Sequence, residues 1–238
     1  DELGQGTPKE KFRANIMAIQ LLKKCEEENR NATPDEQEIL SRYVGWGGLA
    51  DAFDETKSAW ETEYLELKTV LTPEEYAAAR ASTLNAHYTQ PIVIESMYQA
   101  LENLGFTKGN ILEPSMGVGN FFGMLPEKLN QSKLYGVELD SISGRIAKLL
   151  YPDANIQIKG FEKTDYPNDF FDVAIGNVPF GAYKVNDRQY DRYNFMIHDY
   201  FLAKTIDQLR PGGVAALITT KGTMDKASPE VLSLIHIS

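Results

Sequence analysis

Two hydrophobic periodicities divide the chain. Up to about Arg80 the apolar residues recur at helical spacing: Phe12, Ile16, Ile19 and Leu22 line one face, and Cys25 continues the stripe one step further as a small core residue. Three segments, Thr7-Pro8-Lys9-Glu10, Thr33-Pro34-Asp35-Glu36 and Thr72-Pro73-Glu74-Glu75, match the capping box. In that motif a hydroxyl and a carboxylate satisfy free amides of the first helical turn, and proline suits the first helical position. Between these helices lies Gly45-Trp46-Gly47-Gly48, too rich in glycine to continue a helix. Two readings of it stay open: a binding loop, or a tight turn with Trp46 plugged into the neighbouring domain.

From Asn110 the period changes to short β-branched runs alternating with helical stretches. Strands are predicted over residues 110–113, 133–138, 155–159, 171–176 and 214–219, with helices near 121–129, 141–150 and 195–209. Such alternation builds parallel strands with crossover helices, an α/β doubly wound, Rossmann-like sheet. The expected division is a helical leader over residues 1–84 and a sheet core over 85–238. In these sheets ligands lie beyond the carboxyl ends of the strands, so the residues just after each strand are the ones to read.

After the first strand comes Glu113-Pro114-Ser115-Met116-Gly117-Val118-Gly119-Asn120-Phe121. Its two glycines let the backbone pass close under a ligand, and the helix that follows offers free amides to a carboxylate. The second strand ends at Glu138, placed to accept hydrogen bonds from both ribose hydroxyls of an adenosine. The turn carries no phosphate-binding lysine, so a nucleoside without phosphates fits better than a dinucleotide. The fourth strand runs into Asn177-Val178-Pro179-Phe180. There the Asn177 side-chain oxygen and the Val178 carbonyl can each accept one hydrogen of an NH2 group, and Phe180 can stack on its ring.

Taken in order, these motifs resemble the S-adenosylmethionine-dependent adenine-N6 DNA methyltransferases, in the arrangement that puts the catalytic motif after the cofactor motifs. The resemblance runs from about Asn85 to Thr220. His87-Tyr88-Thr89-Gln90-Pro91 looks like the family's leading Tyr-Thr-Pro element at the methionine end of the cofactor; Glu113 to Phe121 looks like the glycine motif and Glu138 like the ribose acid. Asn177 to Phe180 looks like the (Asp/Asn/Ser)-Pro-Pro-(Tyr/Phe) motif, with Val178 in place of the first proline. After the third strand the family carries an acid for the cofactor adenine. Phe161 and Glu162 are the candidates here, with Asp165 as runner-up.

The leader followed by this core also resembles the methylase region of large methylase-helicase proteins of bacterial mobile elements, which implies a helicase region in the same parent polypeptide; both a restriction-modification role and a regulatory one stay open. The start at Asp1 and the ending Leu234 to Ser238 read as a piece of something longer, incomplete at its carboxyl end.

The resemblance thus implies methyl transfer from S-adenosylmethionine to adenine N6 in DNA, with no metal. A glutamine-amide methyltransferase of the release-factor type, or a fragment that binds cofactor without turnover, are the alternatives. A cytosine-C5 enzyme needs a cysteine beside the catalytic proline, and the single cysteine is far away in the leader. Charge limits the DNA reading: 24 basic residues face 34 acidic ones, for a net charge of -10, so DNA contacts must be local or belong to regions outside this chain. Even the densest basic cluster, 184–192, is interrupted by Asp187 and Asp191. With one cysteine and no membrane-length apolar run, a cytoplasmic location is the default.

Overall fold

A computed structural model describes residues 6–84 and 88–223. His87 of the leading motif, the first residues of the chain and the segment 234–238 lie outside the described residues. By contacts the chain forms two units, Asp1–Tyr88 with Asp140–Pro152, and Thr89–Leu139 with Asp153–Ser238.

In the first unit, α1 (Pro8–Glu27), α2 (Pro34–Ser41), α3 (Glu61–Val70) and α4 (Pro73–Ser82) form the leader. All three expected capping boxes are present: the Thr7, Thr33 and Thr72 hydroxyls accept the backbone N–H of Glu10, Glu36 and Glu75, whose carboxylates reach back. The predicted stripe of α1 is buried, Cys25 included. Trp46 is buried against Phe12, Tyr43 and Phe53 of the same unit, with edge-on rings 5.3 to 6.4 Å apart. The glycine-rich segment is therefore a turn that seats an indole in the leader's own core. Gly45 and Gly48, both at φ +73°, supply the left-handed backbone that the turn requires.

The fifth helix of this unit, labelled α7 by chain order (Ser141–Leu150), comes from the middle of the α/β half. Ile142, Ile146 and Ala147 are buried on it. Arg145 Nε and NH1 donate to Glu26 and Glu75 at 2.7 Å, and Gln37 Nε2 donates to the Leu149 carbonyl at the helix end at 2.9 Å. Its packing on α1 and α2 and these polar bonds group the crossover helix with the leader, so the division does not fall at one point in the sequence.

The second unit holds a wholly parallel sheet in the order β3-β2-β1-β4-β5. The strands are β1 (Asn110–Glu113), β2 (Lys133–Glu138), β3 (Asn155–Ile158), β4 (Phe171–Asn177) and β5 (Leu209–Ile218). β5 begins earlier than expected because Leu209 pairs with Phe171 before a shift in register brings Val214 opposite Val173. Residues of β1, β2, β4 and β5 feed two cores. α5 (Pro91–Asn103) brings Ile94, Tyr98 and Leu101 against Ile111, Val173 and Ile175; α8 (Ile197–Gln208) brings Tyr200, Phe201 and Ala203 into the core that holds Leu112, Ala174 and Phe171. Burial on both faces is what a parallel sheet needs.

α5 is missed by the sequence reading, although Pro91 at its first turn and the spacing of Ile94, Tyr98 and Leu101 mark it. The helix expected over 121–129 is corrected to a single turn, α6 (Asn120–Gly123), followed by a 3-10 turn at Glu127–Leu129. Pro126 lies between them and cannot continue a helix.

Candidate active site

The strand order reverses between β1 and β4, and such a switch point opens a crevice at the carboxyl edge of the sheet. Glu113 ends β1, Glu138 ends β2 and Asn177 ends β4, so the fold gathers three motifs at that edge.

The glycine turn is held from below and from the side. Met116 N–H donates to the Val137 carbonyl at 2.9 Å, which carries the strand spacing into the turn, and Gly117 N–H donates to Glu138 Oε2 at 2.6 Å. Gly117 and Gly119 lie at φ +57° and +87°, the left-handed region that a side chain resists. A residue the sequence reading passed over completes the arrangement. A Cβ on Gly136, in β2, would stand 2.2 Å from Sδ of the buried Met116, so any larger residue there would force the Met116 side chain to shift. A glycine inside a strand is the signal that marks such a close approach.

Glu113 is buried to 1% exposure with Oε2 lacking any partner. Burial, reinforced by the negative charge of Glu138, pushes its carboxyl well above the ordinary range. Pro114 is buried beside it and Ser115 half-buried. Phe121 is buried in the α5 core, where its carbonyl accepts the Tyr98 hydroxyl at 2.8 Å, so it anchors the turn from beneath.

At the end of β4, Asn177 Nδ2 donates to Thr89 Oγ1 at 3.2 Å, while Asn177 Oδ1 is buried and without a partner. Thr89 of the Tyr88-Thr89 element and Asn177 of the Asn-Val-Pro-Phe segment, 88 positions apart, thus meet directly. Tyr88 of the same motif is 41% exposed. Val178 N–H donates to the Ile218 carbonyl of β5 at 3.1 Å. A proline has no N–H to give, so valine here gains a ladder bond where the resembled family has a ring. Pro179 and Phe180 follow, both half-buried.

The expectation at the third strand needs correction. Phe161 is 2% exposed, its ring packed 4.9 Å from that of Phe201 in the α8 core, so the ring is not available to a ligand. Of the expected pair only Glu162 keeps an accessible side chain, and Asp165 is exposed.

No family model matches the chain. It is 29% identical over 231 residues to the Defense against restriction protein B of Escherichia phage P1, an alignment that covers 93% of this chain and 8% of that much longer protein. Among solved structures it is similar to the methyltransferase subunit of a type I restriction-modification system from Streptococcus thermophilus (TM-score 0.52, 14% identity, 93% of this chain and 59% of that one). It is also similar to a protein of Listeria monocytogenes assigned to the class I S-adenosylmethionine-dependent methyltransferases (TM-score 0.50, 14% identity, 94% and 79%). The fold of this chain is the Rossmann-like methyltransferase fold.

Proposed function

We propose that this chain carries the cofactor-binding and catalytic part of an S-adenosylmethionine-dependent methyltransferase that acts on the exocyclic N6 amine of adenine in DNA. The observation that carries the reading is the Asn177 amide. Its nitrogen is engaged by Thr89, which leaves Oδ1 as a buried acceptor with no protein partner at the mouth of the switch-point crevice. A buried acceptor left unmatched costs free energy, so it implies a donor that arrives with the substrate.

The donor set also suits the cofactor. Glu113 offers an orphaned buried carboxyl oxygen that can accept a ligand N–H, and the Glu138 charge beside it is complementary to a cation; S-adenosylmethionine carries an ammonium and a sulfonium. Gly117 and Gly119 give it a backbone without side chains to lie on, and Glu138 suits the ribose hydroxyls. When bound, the cofactor supplies an electrophilic methyl group.

The chain's own residues handle the acceptor. Asn177 Oδ1 and the Val178 carbonyl accept the two amine hydrogens, which draws the nitrogen lone pair out of ring conjugation and fixes its direction. Phe180 offers an aromatic surface to the base. Adenine in a duplex must be flipped out to reach them. The choice of DNA over a protein amide is supported by the restriction link of two of the three similar proteins and by the contact of Asn177 with Thr89 of the leading motif.

The test is methyl transfer to adenine-containing DNA, read as N6-methyladenine by mass spectrometry, with release-factor protein as control. Asn177→Ala is expected to abolish transfer while cofactor affinity stays nearly intact. Loss of both together assigns Asn177 a structural role, and methylation of the control protein alone rejects DNA as the substrate.

A further inference from the structure

Lys204 is a charged side chain of the second unit that is buried without being part of the site. Lying on α8, it is 6% exposed, one turn after the buried aromatic residues Tyr200 and Phe201. Its ammonium donates to the Phe161 carbonyl at 2.9 Å, to the Thr164 carbonyl at 3.4 Å and to Asp187 Oδ2 at 3.1 Å, and lies 5.1 Å from the centre of the Phe161 ring. Each of its three hydrogens has an acceptor.

These acceptors belong to two loops. Phe161 and Thr164 flank the short turn after β3, while Asp187 lies in the loop that follows the catalytic motif. Asp187 is itself held from several directions: Oδ2 accepts the Tyr200 hydroxyl at 2.7 Å, Oδ1 accepts Gln189 N–H at 3.2 Å, and its own N–H donates to Asp191 Oδ1 at 2.8 Å. Two further ties fix the same loop, from Ile197 N–H to the Tyr183 carbonyl at 2.9 Å and from the Tyr190 hydroxyl to Asp207 at 2.8 Å. A buried ion pair is a poor route to stability, because desolvation offsets its attraction and an apolar pair of similar volume often does as well. What it does supply is a fixed geometry between the groups it joins.

We propose that Lys204 is a positioning residue that couples the segment after β3, at the adenosine end of the cofactor site, to the loop 181–196 beside the catalytic motif, so that occupancy of the one orders the other. The inference rests on the cofactor reading above. Coupling of this kind is reciprocal in free energy, so ligand binding at the first segment must tighten the second.

Hydrogen exchange on the whole chain, with and without saturating S-adenosylhomocysteine, tests it. In the wild type both 161–164 and 187–191 are expected to slow by about tenfold or more on binding. Lys204→Met is expected to keep protection at 161–164 and lose it at 187–191. Because that variant strands Asp187 and can fail to fold, the double variant Lys204→Met with Asp187→Asn, which removes both charges together, is measured beside it with the same expectation. Transmitted protection that persists in the folded variants overturns the proposal, and so does a wild type that binds the ligand without slowing 187–191. A wild type that binds no ligand removes the cofactor reading, and this coupling with it.

Discussion

Replacing Glu138 probes the cofactor reading at one atom pair. Its Oε2 accepts Gly117 N–H at 2.6 Å, so the carboxylate both shapes the glycine turn and presents the oxygens proposed for the ribose. A hydrogen bond to a charged group contributes about 1.5–3 kcal/mol. Glu138→Ala removes the oxygens proposed for the ribose and frees a turn whose Gly117 sits at φ +57°, so the affinity for S-adenosylhomocysteine should fall by about 10- to 150-fold. Glu138→Gln keeps an amide oxygen for the Gly117 N–H but gives up the charge, and its loss should be about tenfold or less. Isothermal titration measures both, with urea unfolding midpoints to confirm that each variant is folded. An alanine variant that is folded and binds within about twofold of the wild type would refute the argument, because the carboxylate would then neither hold the turn nor meet the ligand.

Two further outcomes follow from the charges. Glu113 has a carboxyl raised above its ordinary value of 4.5 by burial and by Glu138. The stability it permits is full below pH 4.5 and is lost as pH rises through the folded value, so Glu113→Gln should be more stable than the wild type at neutral pH, with a gap that closes toward pH 4.5 in urea titrations. A gap independent of pH would show that Glu113 folds without holding a proton. In the leader, Arg145→Met should cost about 1–2 kcal/mol, below the full range for charged hydrogen bonds because the pairs with Glu26 and Glu75 are partly solvent-screened. Glu75 is desolvated, yet Lys23, the Thr72 N–H and Arg145 together hold its carboxyl down at about 2, so its contribution is present above pH 4.5 and fades as pH falls toward 2. An Arg145→Met variant that unfolds at the wild-type urea concentration would make the clamp ornamental.

Much of this protein is set by local chemistry that a sequence displays. β1, β2 and α7 begin and end at the expected residues, and the three capping boxes form, because strand runs, proline at the first helical position and a threonine three residues before a glutamate each act within one turn of chain. That Glu113, Glu138 and Asn177 share one edge is legible for the same reason: in a parallel α/β sheet the residues ending successive strands come to the same edge.

What the tertiary structure decided depends on partners remote in sequence. Spacing shows α7 as a helix but not that Glu26 and Glu75 would draw Arg145, and the helix with it, into the leader's unit. Phe161 stands just after a strand like a ligand contact, yet the space beside Phe201 takes its ring into the core. Asp187 reads as an acid that breaks up a basic run, but Lys204 and Tyr200 pull its carboxylate inward, leaving Lys184, Arg188 and Arg192 exposed. In each case the local pattern permits either outcome. The outcome was settled by whether a buried volume or a buried countercharge, contributed from elsewhere in the chain, was there to receive the side chain.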